Sequence, residues 1–171
     1  GITGALIAHE FCKAGIECCV IDKRSIATGS SSASTALLQY EIDEPLYKMA
    51  KIVGEKRALL AYQSCLQGIS DVENVFNEIH FNPDFEKVPS VYYANNNQDY
   101  SMIKKEYEMR KKHRLPVTLL DSKELKKIVG IHAKGALMNE ESAQIDTYLA
   151  IVSLLEFDRK KYNLDIFTHT Q

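Results

Sequence analysis

Gly1-Ile2-Thr3-Gly4, a run to Ala14, Gly15, and then Cys18-Cys19-Val20-Ile21-Asp22 form the stretch whose reading decides the fold. Ala5, Ala8, Phe11 and Cys12 recur at helical spacing, so Thr3 to Ala14 reads as a helix with one apolar face. Gly15 ends it, because glycine takes the left-handed conformation that closes helices. The apolar run 18–21 reads as a strand buried on both faces. Glycine turn, helix, glycine and a strand ending in an acid is the order of a dinucleotide-binding unit. Gly1 and Gly4 stand where the second and third glycines of G-x-G-x-x-G stand. The second lets a pyrophosphate approach the backbone, and the third lets the helix pack closely on the sheet. The helix start offers free N–H groups and partial positive charge to phosphates. Asp22 follows at about the twenty-residue separation at which a carboxylate accepts hydrogen bonds from the adenosine ribose.

Such a turn normally follows a strand, and here none precedes Gly1, nor does the chain begin with Met. We therefore expect an amino-terminal piece of a longer protein, in which a Rossmann-like βαβ unit lacks its first strand. The expected class is α/β locally and α+β overall.

The next segment narrows the cofactor. Thr28-Gly29-Ser30-Ser31-Ser32-Ala33-Ser34-Thr35 is too short for a linker and is followed at once by Leu37-Leu38, so it reads as an ordered loop. An NAD site needs no hydroxyl-rich segment just after the ribose-binding acid. FAD does use extra donors for its pyrophosphate and ribityl chain, and Ser30, Ser31, Ser34 and Thr35 offer them.

Bulk properties limit the alternatives. Hydrophobic residues make up 45% of the 171, enough for a core, and the net charge of -2 argues against a general nucleic-acid binder. No apolar run reaches the length of a membrane span, and no signal peptide is visible. Cys12, Cys18, Cys19 and Cys65 form no CxxC pair, and adjacent Cys18 and Cys19 would point to opposite faces of a strand, so no metal site is expected. Buried, reduced thiols in a cytoplasmic protein are the expectation.

Farther along, Leu46 to Ile79 reads as helical, with a break near Gly54 or Gly68. Asn82-Pro83-Asp84 is a turn, Ser90–Ala94 a strand, and Gln98–Arg114 a charged helix. The cluster at 110–114 reads as a solvated end that complements the helix dipole. Strands are expected at Val117–Leu120, Gly135–Met138 and Leu164–Thr168. Asp121 with Glu124 has capping-box spacing for a helix to about Val129, and Asp146 is placed to cap one over Thr147–Lys161.

The sequence Gly1-Ile2-Thr3-Gly4-Ala5, with Asp22-Lys23-Arg24 and Gly29 to Leu38, resembles the amino-terminal region of the D-amino-acid oxidase/glycine oxidase superfamily of FAD-dependent oxidoreductases. Ser90–Ala94 and Ala143–Tyr148 extend the resemblance, although Thr147 departs from the turn the family often has there. The resemblance implies an FAD domain interleaved with a substrate domain built on an antiparallel sheet. By it, residues 1–45 belong to the FAD-binding segment, and residues 46–171 form a helical region and part of the substrate or cap domain. Gly1 and Gly4 would line the pyrophosphate, and Asp22 would hold the ribose with Lys23 nearby. Ser30, Ser31, Ser34, Thr35 and Ala36 would approach the pyrophosphate, ribityl chain and flavin, with Leu38 near the ring. The family commonly has Glu at the ribose position, so Asp22 makes that contact with a shorter side chain.

The implied reaction is hydride transfer from an amine, amino acid or hydroxy acid to flavin, so the partner is a small molecule. A glycerol-3-phosphate dehydrogenase-like flavoprotein and a non-catalytic truncated domain are the alternatives. Catalytic residues are expected beyond Gln171. Tyr40, Glu41, Asp43 and His80 are read as surface or loop positions. Taken alone, the 171-residue chain is expected to bind FAD poorly and to be inactive.

Overall fold

The computed structural model describes residues 1–170. It divides into two compact units, each assembled from separated stretches of chain. The first comprises Gly1–Leu37, Val72–Glu86 and the segment from Gln144 onward, and the second comprises Leu38–Asp71 and Lys87–Ala143.

In the first unit, α1 (Ile2–Lys13) packs on α6 (Thr147–Tyr162). Ala5, Ala8 and His9 are the buried residues of α1, against Ala150, Ile151, Leu154, Leu155 and Asp158 of α6. The small alanines let the two backbones approach. The apolar face is rotated from the expected one, because Phe11 is exposed and a histidine takes a core position. Gly15 has φ +70° and ends the helix as anticipated. After it, β1 (Cys19–Ile21) pairs in parallel with β8 (Asp165–Phe167), Val20 lying opposite Ile166. The expectation of a strand buried on both faces is corrected here. Ile21 and Phe167 are more than half exposed, because β1 has a single partner strand among the described residues.

The second unit is built on an antiparallel sheet in the order β4-β6-β5, from β4 (Ser90–Ala94), β6 (Gly135–Asn139) and β5 (Thr118–Asp121). Leu137 pairs with Tyr92 on one side and with Leu119 on the other. Side chains alternate along β6, so the sheet has two packed faces. Leu137 and Ala94 meet Ile103 of α4 (Asn97–Lys112). Ala136 and Leu120 meet Leu125 of α5 (Ser122–Val129). Gly135 is required where it stands: a Cβ there would lie 2.6 Å from the Leu120 carbonyl oxygen and would strike the Tyr100 ring. Asp121 and Glu124 form the full reciprocal capping box, and Asp146 caps α6 by accepting from the Leu149 N–H.

The long helical region breaks at Gly54 (φ +89°), between α2 (Leu46–Val53) and α3 (Glu55–Glu78). Gly68 lies inside α3, and the remaining strands are the two-residue β2 (Leu37–Leu38), β3 (Glu86–Lys87) and β7 (Ala143–Gln144). The cysteine expectation is also corrected: Cys19 and Cys65 are exposed, and Cys12 and Cys18 are half-buried. No helix among the described residues is long and apolar enough to cross a membrane.

Candidate functional site

Gly1 is the N-cap of α1, and no side chain caps this helix end. The first turn contains no acidic residue. Its leading N–H groups therefore face outward with the helix's partial positive charge and no carboxylate competing for them. A Cβ placed on Gly1 would lie 3.1 Å from the Ser31 hydroxyl oxygen. The hydroxyl-rich loop is thus folded back against the start of α1, and a side chain at Gly1 would crowd the Ser31 hydroxyl, which would have to shift by a few tenths of an ångström. Gly4 has no comparable constraint, since a Cβ there meets nothing within 4 Å. Among the described residues no strand lies close enough to Gly4 to supply the packing reason given for a third glycine.

The loop itself contains a short 3-10 turn, Ser30–Ala33. Ser32 donates to the Gly29 carbonyl, and Ser34 accepts from the Ala36 N–H, so two hydroxyls serve the loop's own backbone. Ser30, Ser31 and Thr35 are left with hydroxyls that bond to no other side chain or backbone group among the described residues. A contact invisible to sequence reasoning secures the loop: the Thr147 hydroxyl, at the first residue of α6, donates to the Ser31 carbonyl. The position at which the family resemblance weakens is therefore the one that ties this loop to α6. Ile145 adds a backbone bond to the Ala36 carbonyl at 3.2 Å. Together these segments border an open cavity of about 410 Å³, whose lining includes Ser34, Thr35, Ala36, Asp146, Thr147 and Tyr148.

Ala36 has φ +57°, a left-handed backbone that costs a residue with a Cβ about 1–2 kcal/mol. Ala36→Gly removes that strain and gives the unfolded chain back about 0.4–1 kcal/mol of freedom. The expected outcome is a small net gain in thermal midpoint, measurable by calorimetry.

Asp22 follows the last residue of β1, half-buried, with its N–H donating to the Phe167 carbonyl at 2.9 Å. One carboxylate oxygen accepts from the Arg24 N–H at 2.9 Å. The other has no donor among the described residues. Lys23 is exposed, and the Arg24 guanidinium reaches the place a Gly29 side chain would fill. Gly1, Ser31, Ser34, Thr35 and Ala36 are thus brought close through the loop, while Asp22 and Lys23 stand at the end of the adjoining strand. Leu38 belongs to the second unit. Among the described residues no three His, Cys, Asp or Glu side chains are placed to hold a metal ion.

The second unit holds a polar cluster that the sequence reading placed at the surface. Tyr40 is fully buried, and the Arg110 of the supposedly solvated helix end is 4% exposed. Arg110 Nε donates to Glu106 Oε1 at 2.6 Å, and its Nη1 donates to Glu41 Oε1 at 3.0 Å. Glu106 also accepts from the Leu46 and Tyr47 N–H groups, capping α2 from another helix in place of Pro45. Asn139 reaches both Glu41 oxygens at 3.1 Å. Burial pushes the Tyr40 hydroxyl up to about 12 despite the nearby Arg110 charge, and also raises Tyr62; both stay protonated donors. Glu106 and Arg110 are four apart, so the pair was readable as a helical ion pair; its inward orientation was not.

The family model for FAD dependent oxidoreductases (DAO) matches residues 1–171. No curated protein sequence matches the chain. Three similar solved structures are L-proline dehydrogenase from P. horikoshii, glycine oxidase from Geobacillus kaustophilus and L-alpha-glycerophosphate oxidase from Mycoplasma pneumoniae with FAD bound. Identities are 20%, 17% and 17%, and TM-scores are 0.76, 0.77 and 0.79. Each alignment covers 100% of this chain and, in the same order, 42%, 45% and 43% of the other. The chain therefore spans under half the length of these structures, whose likeness shows a common fold. With the family model covering the whole length, the chain belongs to the FAD dependent oxidoreductase family, whose members depend on FAD.

Proposed function

We propose that the first unit is the Rossmann-like FAD-binding part, and the second unit part of the substrate domain, of an enzyme that oxidises an amine, amino acid or hydroxy acid. The observation that carries this reading is the uncapped start of α1 with the Ser31 hydroxyl beside Gly1. A phosphate fits there on chemical grounds: outward N–H groups, a hydroxyl donor and no acid in the first turn. Gly1, Gly4, Ser30, Ser31, Ser34, Thr35 and Ala36 would hold the pyrophosphate and ribityl portions. Asp22 would accept from the adenosine ribose through its free oxygen, with Lys23 beside it, and Leu38 would approach the ring. FAD, when bound, supplies the hydride acceptor. The work of these residues is to bind and orient it.

A parent enzyme acting on glycerol 3-phosphate is the second reading, favoured by the likeness to the FAD-bound glycerophosphate oxidase. The four free cysteines favour a reducing, cytoplasmic setting.

The test is FAD affinity in the full-length protein, read by flavin fluorescence. Loss of a charge-assisted hydrogen bond is worth about 1.5–3 kcal/mol, so Asp22→Ala is expected to weaken FAD binding by about 10- to 100-fold. Unchanged affinity would overturn the ribose assignment.

A further inference from the structure

We propose that Cys12 and Cys18 form a built-in dithiol that a hydroperoxide converts to an intramolecular disulfide. The two Sγ atoms lie 4.0 Å apart, within hydrogen-bond reach of each other. Cys12 stands in the last turn of α1 and Cys18 immediately before β1, so the chain between them is the tight turn through Gly15. Cys18 Sγ also lies 3.9 Å from the Ala8 carbonyl, which steers it toward the helix. Both thiols line an open cavity of about 780 Å³ with Gly15, Ile16, Tyr162 and Asn163. A molecule the size of hydrogen peroxide can enter it. A disulfide needs the sulfurs at about 2.05 Å, so rotation of the side chains must close the gap.

Burial, with the neighbouring Cys18 adding to it, pushes the Cys12 thiol up. In the proposed sequence Cys18 attacks the peroxide. Its thiolate attacks one peroxide oxygen, the O–O bond breaks, and Cys18 sulfenic acid forms with hydroxide, which takes up the proton Cys18 released. Cys12 sulfur then attacks the sulfenic sulfur, the S–O bond breaks, and water leaves with the Cys12 proton. Two thiols and one hydrogen peroxide give one disulfide and two waters. Sulfur is oxidised by two electrons and the peroxide oxygens are reduced by two. Adjacent Cys19 is exposed on the strand and makes no hydrogen bond to another thiol among the described residues, so the link is assigned to Cys18.

Lys13 lies between the two cysteines, so trypsin separates them and the disulfide is read as a linked pair of peptides. The experiment treats the reduced full-length protein with equimolar hydrogen peroxide, blocks remaining thiols with iodoacetamide and maps the digest by mass spectrometry. The expected result is a peptide ending at Lys13 joined to Ala14–Lys23, two hydrogens lighter than the reduced pair, with Cys65 alkylated and the link reversed by dithiothreitol. Cys19→Ser keeps the link and Cys18→Ser abolishes it. In Cys12→Ser, Cys18 stops at the sulfenic acid and is trapped by dimedone. A link through Cys19, oxidation of Cys65 ahead of this pair, a disulfide between two chains, or Cys18 carried to sulfinic acid with Cys12 intact would each overturn the proposal.

Discussion

Replacing Glu106 with alanine is expected to lower the urea midpoint of the protein by an amount equivalent to about 3–5 kcal/mol. The size follows from what this one carboxylate holds. Glu106 is 2% exposed, and its oxygens meet the Arg110 guanidinium and the first two N–H groups of α2. Alanine leaves the buried Leu46 N–H and the half-buried Tyr47 N–H without their carboxylate acceptor. It also leaves Arg110, raised well above its usual range chiefly by Glu106 against the cost of burial, with Glu41 as its only carboxylate. Each orphaned polar group costs about 1–3 kcal/mol. Glu106→Gln keeps one oxygen for α2 but turns an amide nitrogen toward a donor, so its loss is expected to fall between those of wild type and alanine. A Glu106→Ala midpoint within about 0.5 kcal/mol of wild type would show that the cluster contributes nothing to stability.

The local grammar of the chain was legible because it rests on neighbours in sequence. Asp121 and Glu124 form the expected capping box, Gly15 stops α1, Gly54 breaks the helical region and β4 runs over Ser90–Ala94 as read. Exposure was less legible. The apolar run at β1 carries the residues of a buried strand, yet burial depends on how many strands and helices flank it, which the run cannot encode. The face of α1 was misjudged because Phe11 is the more hydrophobic residue, while packing against α6 selects the small Ala5 and Ala8 and a histidine with a partner 149 positions away. The candidate site shows the same division. Gly1, Asp22 and the serine loop are proposed from their spacing in the sequence. The Thr147 bond to Ser31 and the burial of Tyr40 and Arg110 arise from contacts distant in sequence and left no pattern to read.

That distant histidine pair carries the other large effect: Asp158→Ala is expected to destabilise the first unit by about 3–5 kcal/mol. His9 Nδ1 and Asp158 Oδ1 are 2.7 Å apart, and both side chains are fully buried where α1 packs on α6. His9 Nε2 and Asp158 Oδ2 have no partner among the described residues, so the pair is held by one hydrogen bond and loses it when either member goes. Nearby charges are Glu78 and Lys161 around the carboxylate. If the cost is that of a stranded polar group, the double variant His9→Phe with Asp158→Leu should recover most of the loss, because apolar residues of similar volume leave nothing stranded. The pH dependence has a fixed sign. Burial raises the Asp158 carboxyl above its ordinary value, outweighing the lowering by His9. A carboxyl with a higher pKa in the folded chain binds its proton more tightly there, so its contribution is complete below about pH 3.9 and is lost as pH rises through the folded value. The stability advantage of wild type over Asp158→Asn should therefore shrink as pH rises across that window in urea titrations. An advantage that grows with pH would mean that the pair is held as an ion pair whose attraction exceeds the cost of burying it.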